Sequence, residues 1–150
     1  MKYAHNIEMR VFSKEGDDEE KIIAKIKEVF PFDFKKEKIK LNIRTAYGFE
    51  DKKIHILTVS IDKERHTNKV IKNIVSFLSS EQKELLLKQM ESRLDNNLHF
   101  YIRLDKEKLM NNAYWLTDSG NCFHFNIAIA AYPHKREIAK KIIEKMINSF

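Results

Sequence analysis

Apolar and polar residues alternate from Ala4 to Ser13, with Ile7, Met9 and Val11 on one side and Asn6, Glu8 and Arg10 on the other. A period of two marks a strand with one buried face. The period then lengthens. Asp17, Asp18, Glu19 and Glu20 precede Ile22, Ile23, Ile26, Val29 and Phe30, whose spacing predicts an amphipathic helix. The four acids suit the electropositive start of that helix, and Pro31 ends it because the residue before a proline is pushed out of helical geometry.

Alternation returns from Lys38 to Tyr47, with Ile39, Leu41 and Ile43 opposite Lys40, Asn42 and Arg44. Gly48 and Asp51 predict a turn into a strand from Ile54 to Ile61, so the two strands form a hairpin. Two helices follow, one from about Lys63 to Leu78 and one opening at the capping-box pattern Ser79-Ser80-Glu81-Gln82 with Leu86, Met90 and Leu94 facing inward. The clearest alternation runs from Leu98 to Leu104, setting Leu98, Phe100, Ile102 and Leu104 against His99, Tyr101 and Arg103. A short helical turn is expected over Asp105 to Asn111. Beyond it, Tyr114 to Leu116 and Asn121 to Ala131 read as a hairpin around Asp118-Ser119-Gly120. A last helix runs from about His134, just after Pro133, to Asn148.

This order predicts an α+β fold: a two-layer sandwich whose mostly antiparallel sheet carries helices on one face and leaves the other wholly or partly open. No repeat, low-complexity segment or Gly/Ser/Pro linker interrupts the chain, so residues 1–150 are expected to form one domain. The single Cys122 cannot form an internal disulfide. No apolar run approaches the roughly 20 residues of a membrane helix, and the opening MKYAHNIEMR lacks a signal-peptide apolar region. A soluble, cytoplasmic protein without a membrane partner is the expectation.

Charge narrows the reading. Lys and Arg number 28 against 22 Asp and Glu, a formal net charge of +6 with a pI near 9.3. Such an excess admits a nucleic-acid partner, although interleaved Lys and Glu on a heat-adapted surface would produce it too. Placement discriminates between them. If the apolar strand residues face the helices, the opposite face carries Arg10, Lys40, Asn42, Arg44, His99, Tyr101, Arg103, His124 and Asn126, with Glu8 as its carboxylate. Guanidinium and ammonium groups neutralise phosphates while Tyr, His and Arg planes stack on unpaired bases, so the face suits single-stranded or structured RNA. Lys106, just after the strand that bears Tyr101 and Arg103, joins Arg10, Arg44, Tyr101 and Arg103 as a candidate RNA contact. Arg65, with His66, Lys69 and Lys72, and the pair Lys135 and Arg136 could widen a phosphate-binding rim. The run Lys35, Lys36, Lys38 and Lys40 reads as a solvated stretch.

Catalytic motifs are sparse. Cys122-x-His124 places a thiol and an imidazole on one strand face, but no third orienting group accompanies them. The six histidines show no zinc-ligand spacing, and neither GxGxxG nor a P-loop is present, so no cofactor is expected and the chain reads as a non-enzyme. Two other readings stay open. One is an assembly subunit that buries the open face against a second copy or another chain, with Ala128, Ala130, Tyr114 and Trp115 as its signature. The other is a hydrolase built on Cys122 and His124 or on Asp105.

His5, Arg10-Val11-Phe12, the acidic Glu15-Gly16-Asp17-Asp18-Glu19-Glu20-Lys21, Tyr101-Ile102-Arg103-Leu104-Asp105-Lys106 and Tyr132-Pro133 together resemble an archaeal family described as RNA-binding proteins or predicted exosome subunits. The resemblance runs over nearly the whole chain. It implies one α+β domain similar in fold to the 5S-rRNA-binding ribosomal protein, a role beside RNA-processing or ribosome-related machinery, and no catalytic residues. One departure stands out. Where the family tends to carry a Gly/His/Asn-rich turn between the second and third strands, this chain has Ala46-Tyr47-Gly48-Phe49-Glu50-Asp51-Lys52-Lys53.

Overall fold

The computed structural model describes residues 1–150. Five strands, β1 (Ala4–Lys14), β2 (Leu41–Tyr47), β3 (Lys53–Ile61), β4 (His99–Asp105) and β5 (Cys122–Ile129), form one sheet in the order β2-β3-β1-β5-β4, with every neighbour antiparallel. Six helices accompany it: α1 (Glu19–Val29), α2 (Glu64–Phe77), α3 (Ser80–Lys88), α4 (Met90–Arg93), α5 (Lys106–Met110) and α6 (Arg136–Asn148). The fold is thus the expected α+β arrangement with an open sheet.

Period-two patterning decides which face the helices cover. Ile7, Met9 and Val11 of β1, Leu57 and Val59 of β3, Phe100 and Leu104 of β4, and Phe123, Phe125 and Ile127 of β5 all point to the helical layer and are buried. They meet Ile22, Ile26 and Val29 of α1, Ile71 and Ile74 of α2, and Ile143 and Met146 of α6 in a single core. Phe30, just past α1, stacks on Phe125 at 6.3 Å between ring centroids. Each such side chain contributes about 1.5–3 kcal/mol by leaving water. Asp18 caps α1 by accepting from the Lys21 N–H, and Phe30 leaves helical geometry ahead of Pro31, so both helix ends fall where the sequence placed them.

Three segments differ from the sequence expectation. Strand β2 starts at Leu41 because Lys38 adopts a left-handed φ of 58° and the Ile39 N–H donates to the Phe34 carbonyl, keeping that stretch in a turn. The helix opened by Ser79 does not run through Leu94 but breaks at Gln89 into α3 and α4. Residues Tyr114 to Leu116 do not form a hairpin with β5. Gln82, the capping-box residue, turns its side-chain oxygen to the Leu116 N–H at 2.7 Å, while the Asp105 N–H donates to the Trp115 carbonyl and Leu116 bridges Leu104.

That segment therefore seals the edge of β4, and its neighbours complete the seal. The Thr117 N–H donates to the Arg103 carbonyl, the Asp95 N–H to the His99 carbonyl, and the buried Arg93 guanidinium to the Tyr101 carbonyl at 3.3 Å. Strand β2, at the other edge, is solvent-exposed along most of its length.

Candidate nucleic-acid interface

Register assembles the open face row by row. Asn42, Thr58, Arg10, His124 and Arg103 are successive cross-strand partners from β2 to β4. The next row toward the His99 end runs Ser60, Glu8, Asn126, Tyr101, and the one beyond it Asn6, Ala128, His99. In the opposite direction, Arg44, Ile56 and Phe12 align. Phe12 and the buried Ile56 thus put an apolar strip between Arg44 and the cationic residues of β1, β5 and β4. The sequence pattern did not show this strip, because β3 is apolar on both sides.

Arg10 and Arg103 flank His124 from the two adjoining strands, and no acidic side chain pairs with either guanidinium. They open onto a shallow pocket of about 180 Å³ shared with Phe12, Gly120, Cys122 and His124. Burial lowers the His124 pKa, and the charges of Arg103 and Arg10 lower it further, so the ring is neutral at neutral pH. Burial also raises the Cys122 thiol pKa, with Asp105 adding to the rise and the two arginines opposing it. A thiol held protonated in this way is not an activated nucleophile.

An aromatic track adjoins the arginines. Tyr101 lies 5.5 Å from His124 and 6.5 Å from His99 between ring centroids, with interplanar angles of 37° and 28°. Polar partners fix its position. The Tyr101 hydroxyl donates to Asp95, and the His99 ring shares a 2.6 Å hydrogen bond with the Asn126 side chain. Asp95 reaches this face from the turn after α4, so strand alternation could not reveal it. The one signal was its place before Asn96-Asn97, where a carboxylate accepts from backbone two and four residues ahead, as Asp95 does from the Asn97 and His99 N–H groups at 2.9 Å.

The structure thus brings Arg10, His99, Tyr101, Arg103 and His124 together, and sets Lys40 and Arg44 on the same face toward the β2 edge. The other candidates lie elsewhere. Lys106 is 6% exposed and points inward, donating to the Phe12 carbonyl at 2.6 Å and to Asp17 at 2.7 Å. Arg65 forks onto Glu37 at 2.8 and 2.6 Å, and Arg136 binds Glu91 together with the Leu94 carbonyl. Lys135 stands exposed at the N-cap of α6. The residues suggested for an assembly surface are dispersed: Tyr114 stacks on Phe77 at 5.0 Å, Trp115 lies under the Lys108 ammonium, and Ala128 sits at the far end of β5 beside His99.

Fold and face together define an α+β domain with a cationic, aromatic patch on an open antiparallel sheet. Residues 6–132 match a protein-family profile described as RNA binding, and the chain belongs to that family. It is similar to an RNA-binding protein of Pyrococcus abyssi, 26% identical over 144 residues that cover 96% of this chain and 94% of that one. Among solved structures it is similar to a protein from Archaeoglobus fulgidus, with a TM-score of 0.81 at 25% identity over 95% of this chain and 99% of that one. A protein from Methanothermobacter thermautotrophicus gives 0.78 at 26% identity over 97% and 98%. The archaeal RNA-binding resemblance read from the sequence therefore holds at the level of the family.

Proposed function

We propose that this protein binds RNA on the open face of its sheet, with unpaired bases lying over Tyr101, His99 and His124 and backbone phosphates drawn to Arg10, Arg103, Arg44 and Lys40. The observation that carries the reading is the pair of guanidiniums on Arg10 and Arg103, unpaired with any acid and adjoining a contiguous aromatic track. A folded surface ordinarily neutralises or disperses such charges. Here the two stand on either side of His124 without an acid, an arrangement that favours an anionic partner. The family's RNA-binding description and the Pyrococcus relative support the same partner.

Affinity for a short single-stranded RNA should fall linearly in log–log form as salt rises. Arg103→Ala combined with Tyr101→Ala should weaken binding while the melting temperature stays within a few degrees. Absence of salt-sensitive binding at micromolar protein refutes the reading. The family resemblance extends the proposal to an accessory role beside RNA-processing machinery such as the exosome, in the cytoplasm. Nuclease-resistant co-purification of RNA-degrading subunits with the tagged chain tests that extension, and recovery of the chain alone overturns it.

A further inference from the structure

We propose that Arg10, His124 and Arg103 form a receptor for the terminal phosphate of an RNA chain, with the nucleotide that bears this phosphate stacked on Tyr101. The inference rests on the RNA-binding reading and goes further by assigning the position and kind of phosphate. Arg10 and Arg103 each pair directly with His124, so their backbones stand two strand spacings apart, about 9–10 Å. Two guanidinium forks approaching from opposite sides across that span can each bond a different edge of one phosphate, and the neutral His124 ring beneath supplies a further hydrogen bond. The charge also matches a chain end. A phosphomonoester carries about two negative charges near neutral pH, enough to balance both forks, whereas an internal phosphodiester carries about one.

The chemistry of the neighbouring rows gives the second argument. Toward the His99 end the face continues as the Tyr101–Asn126 row, and a nucleotide can extend along it. In the other direction the face passes to Phe12, the buried Cys122 and, opposite Cys122 on β4, Asp105, so an apolar ring, a thiol and a carboxylate follow the arginines. A strand running on past the arginines would set its next phosphate against these groups, and the Asp105 carboxylate repels it. With that continuation disfavoured, the phosphate seated between the arginines is the last group of the chain.

The test uses the full chain and one short single-stranded RNA in three forms: 5′-phosphorylated, 3′-phosphorylated, and hydroxyl at both ends. Fluorescence anisotropy at fixed salt should show one phosphorylated form binding at least tenfold tighter than the hydroxyl form, and which form it is identifies the end recognised. The Arg10→Gln, Arg103→Gln double variant should lose that advantage, and Arg103→Lys, which keeps the charge but loses the fork, should retain only part of it. Thermal melts of the variants confirm that they fold. Equal affinity for the three RNAs, or a phosphate advantage that survives in the double variant, overturns the receptor and leaves RNA binding standing. No binding of any form overturns both.

Discussion

The Tyr101 hydroxyl donates to Asp95 at 2.9 Å, and this bond fixes the position of an aromatic ring on the open face of the sheet. Burial raises the Tyr101 pKa and the bond to Asp95 adds to the rise, so the phenol remains a donor across the ordinary pH range. Burial would raise the Asp95 pKa as well. Hydrogen bonds from the His99 N–H, the Tyr101 hydroxyl and the Asn97 N–H outweigh it and keep the carboxyl below its usual value.

Tyr101→Phe and Tyr101→Ala should therefore separate positioning from stacking. The Phe variant keeps the ring and loses about 1 kcal/mol of stability with the hydrogen bond, while RNA affinity changes little. The Ala variant should lose about 1–3 kcal/mol of RNA binding, the usual worth of one stacked base. Paired denaturant melts and RNA titrations check both. Equal affinity of the Ala variant and the wild type would remove Tyr101 from the interface.

Lys106→Met should damage the fold and not the interface. The ammonium ties the end of β1 to Asp17 ahead of α1, and removing it leaves the Phe12 carbonyl and Asp17 without their donor. A loss of about 1–3 kcal/mol is expected, discounted because Asp17 is partly exposed. Burial acts to raise the Asp17 pKa, but hydrogen bonds from Lys106 and the Lys14 N–H hold it below the ordinary 3.8. With the folded pKa depressed, this contribution is present above about pH 3.8 and is lost as the pH falls below it. Urea melts at pH 7 and pH 3 should show a gap between wild type and variant that narrows in acid.

Arg65→Ala should leave RNA binding unchanged, since Glu37 already occupies the guanidinium. The informative readout is the acid. The Arg65 hydrogen bonds bring the Glu37 carboxyl down to about 2, against opposition from burial. In the variant, an NMR titration should find the carboxyl moved back toward 4.5, and the stabilisation that wild type loses only between about 4.5 and about 2 should be gone from that window.

Arg103→Gln should act in opposite directions on binding and on stability. The salt slope of RNA binding should fall by about one, while the melting temperature holds or rises because one of two unneutralised guanidiniums beside His124 is gone. Burial is the main cause of the low His124 pKa and Arg103 the next, so the variant's imidazole should titrate closer to 6.5. A histidine with a depressed folded pKa loses stability as the pH drops through the interval below 6.5, because the unfolded chain takes up the proton first. That acid-side loss should shrink in the variant.

Legibility in the sequence followed what periodicity encodes. Alternation in β1 and β4 placed Arg10, His99, Tyr101 and Arg103 on one face, since the side on which a residue falls depends only on its own strand. Neighbour relations do not have that property. Lys106 finds its acceptor on Phe12, 94 residues earlier, and Gln82 leaves its capping role to hold Leu116. Arg93, in the one-turn helix α4, is buried on two oxygen acceptors at the edge of β4. In each case a polar side chain is claimed by a backbone atom outside its own helix, and helical spacing does not record such a claim.

The position of β1 at the centre of the sheet governs when the interface comes into being. Its two neighbours are residues 53–61 and 122–129, and Arg10 and Arg103 are 93 positions apart. Pairings so distant in sequence close late and slowly during folding. Until β5 inserts between β1 and β4, His124 is missing from between the two arginines and nothing sets their separation. A nascent or clipped chain lacking β5 has neither His124 nor the strand that spaces Arg10 from Arg103, so the proposed phosphate receptor exists only once the sheet is complete.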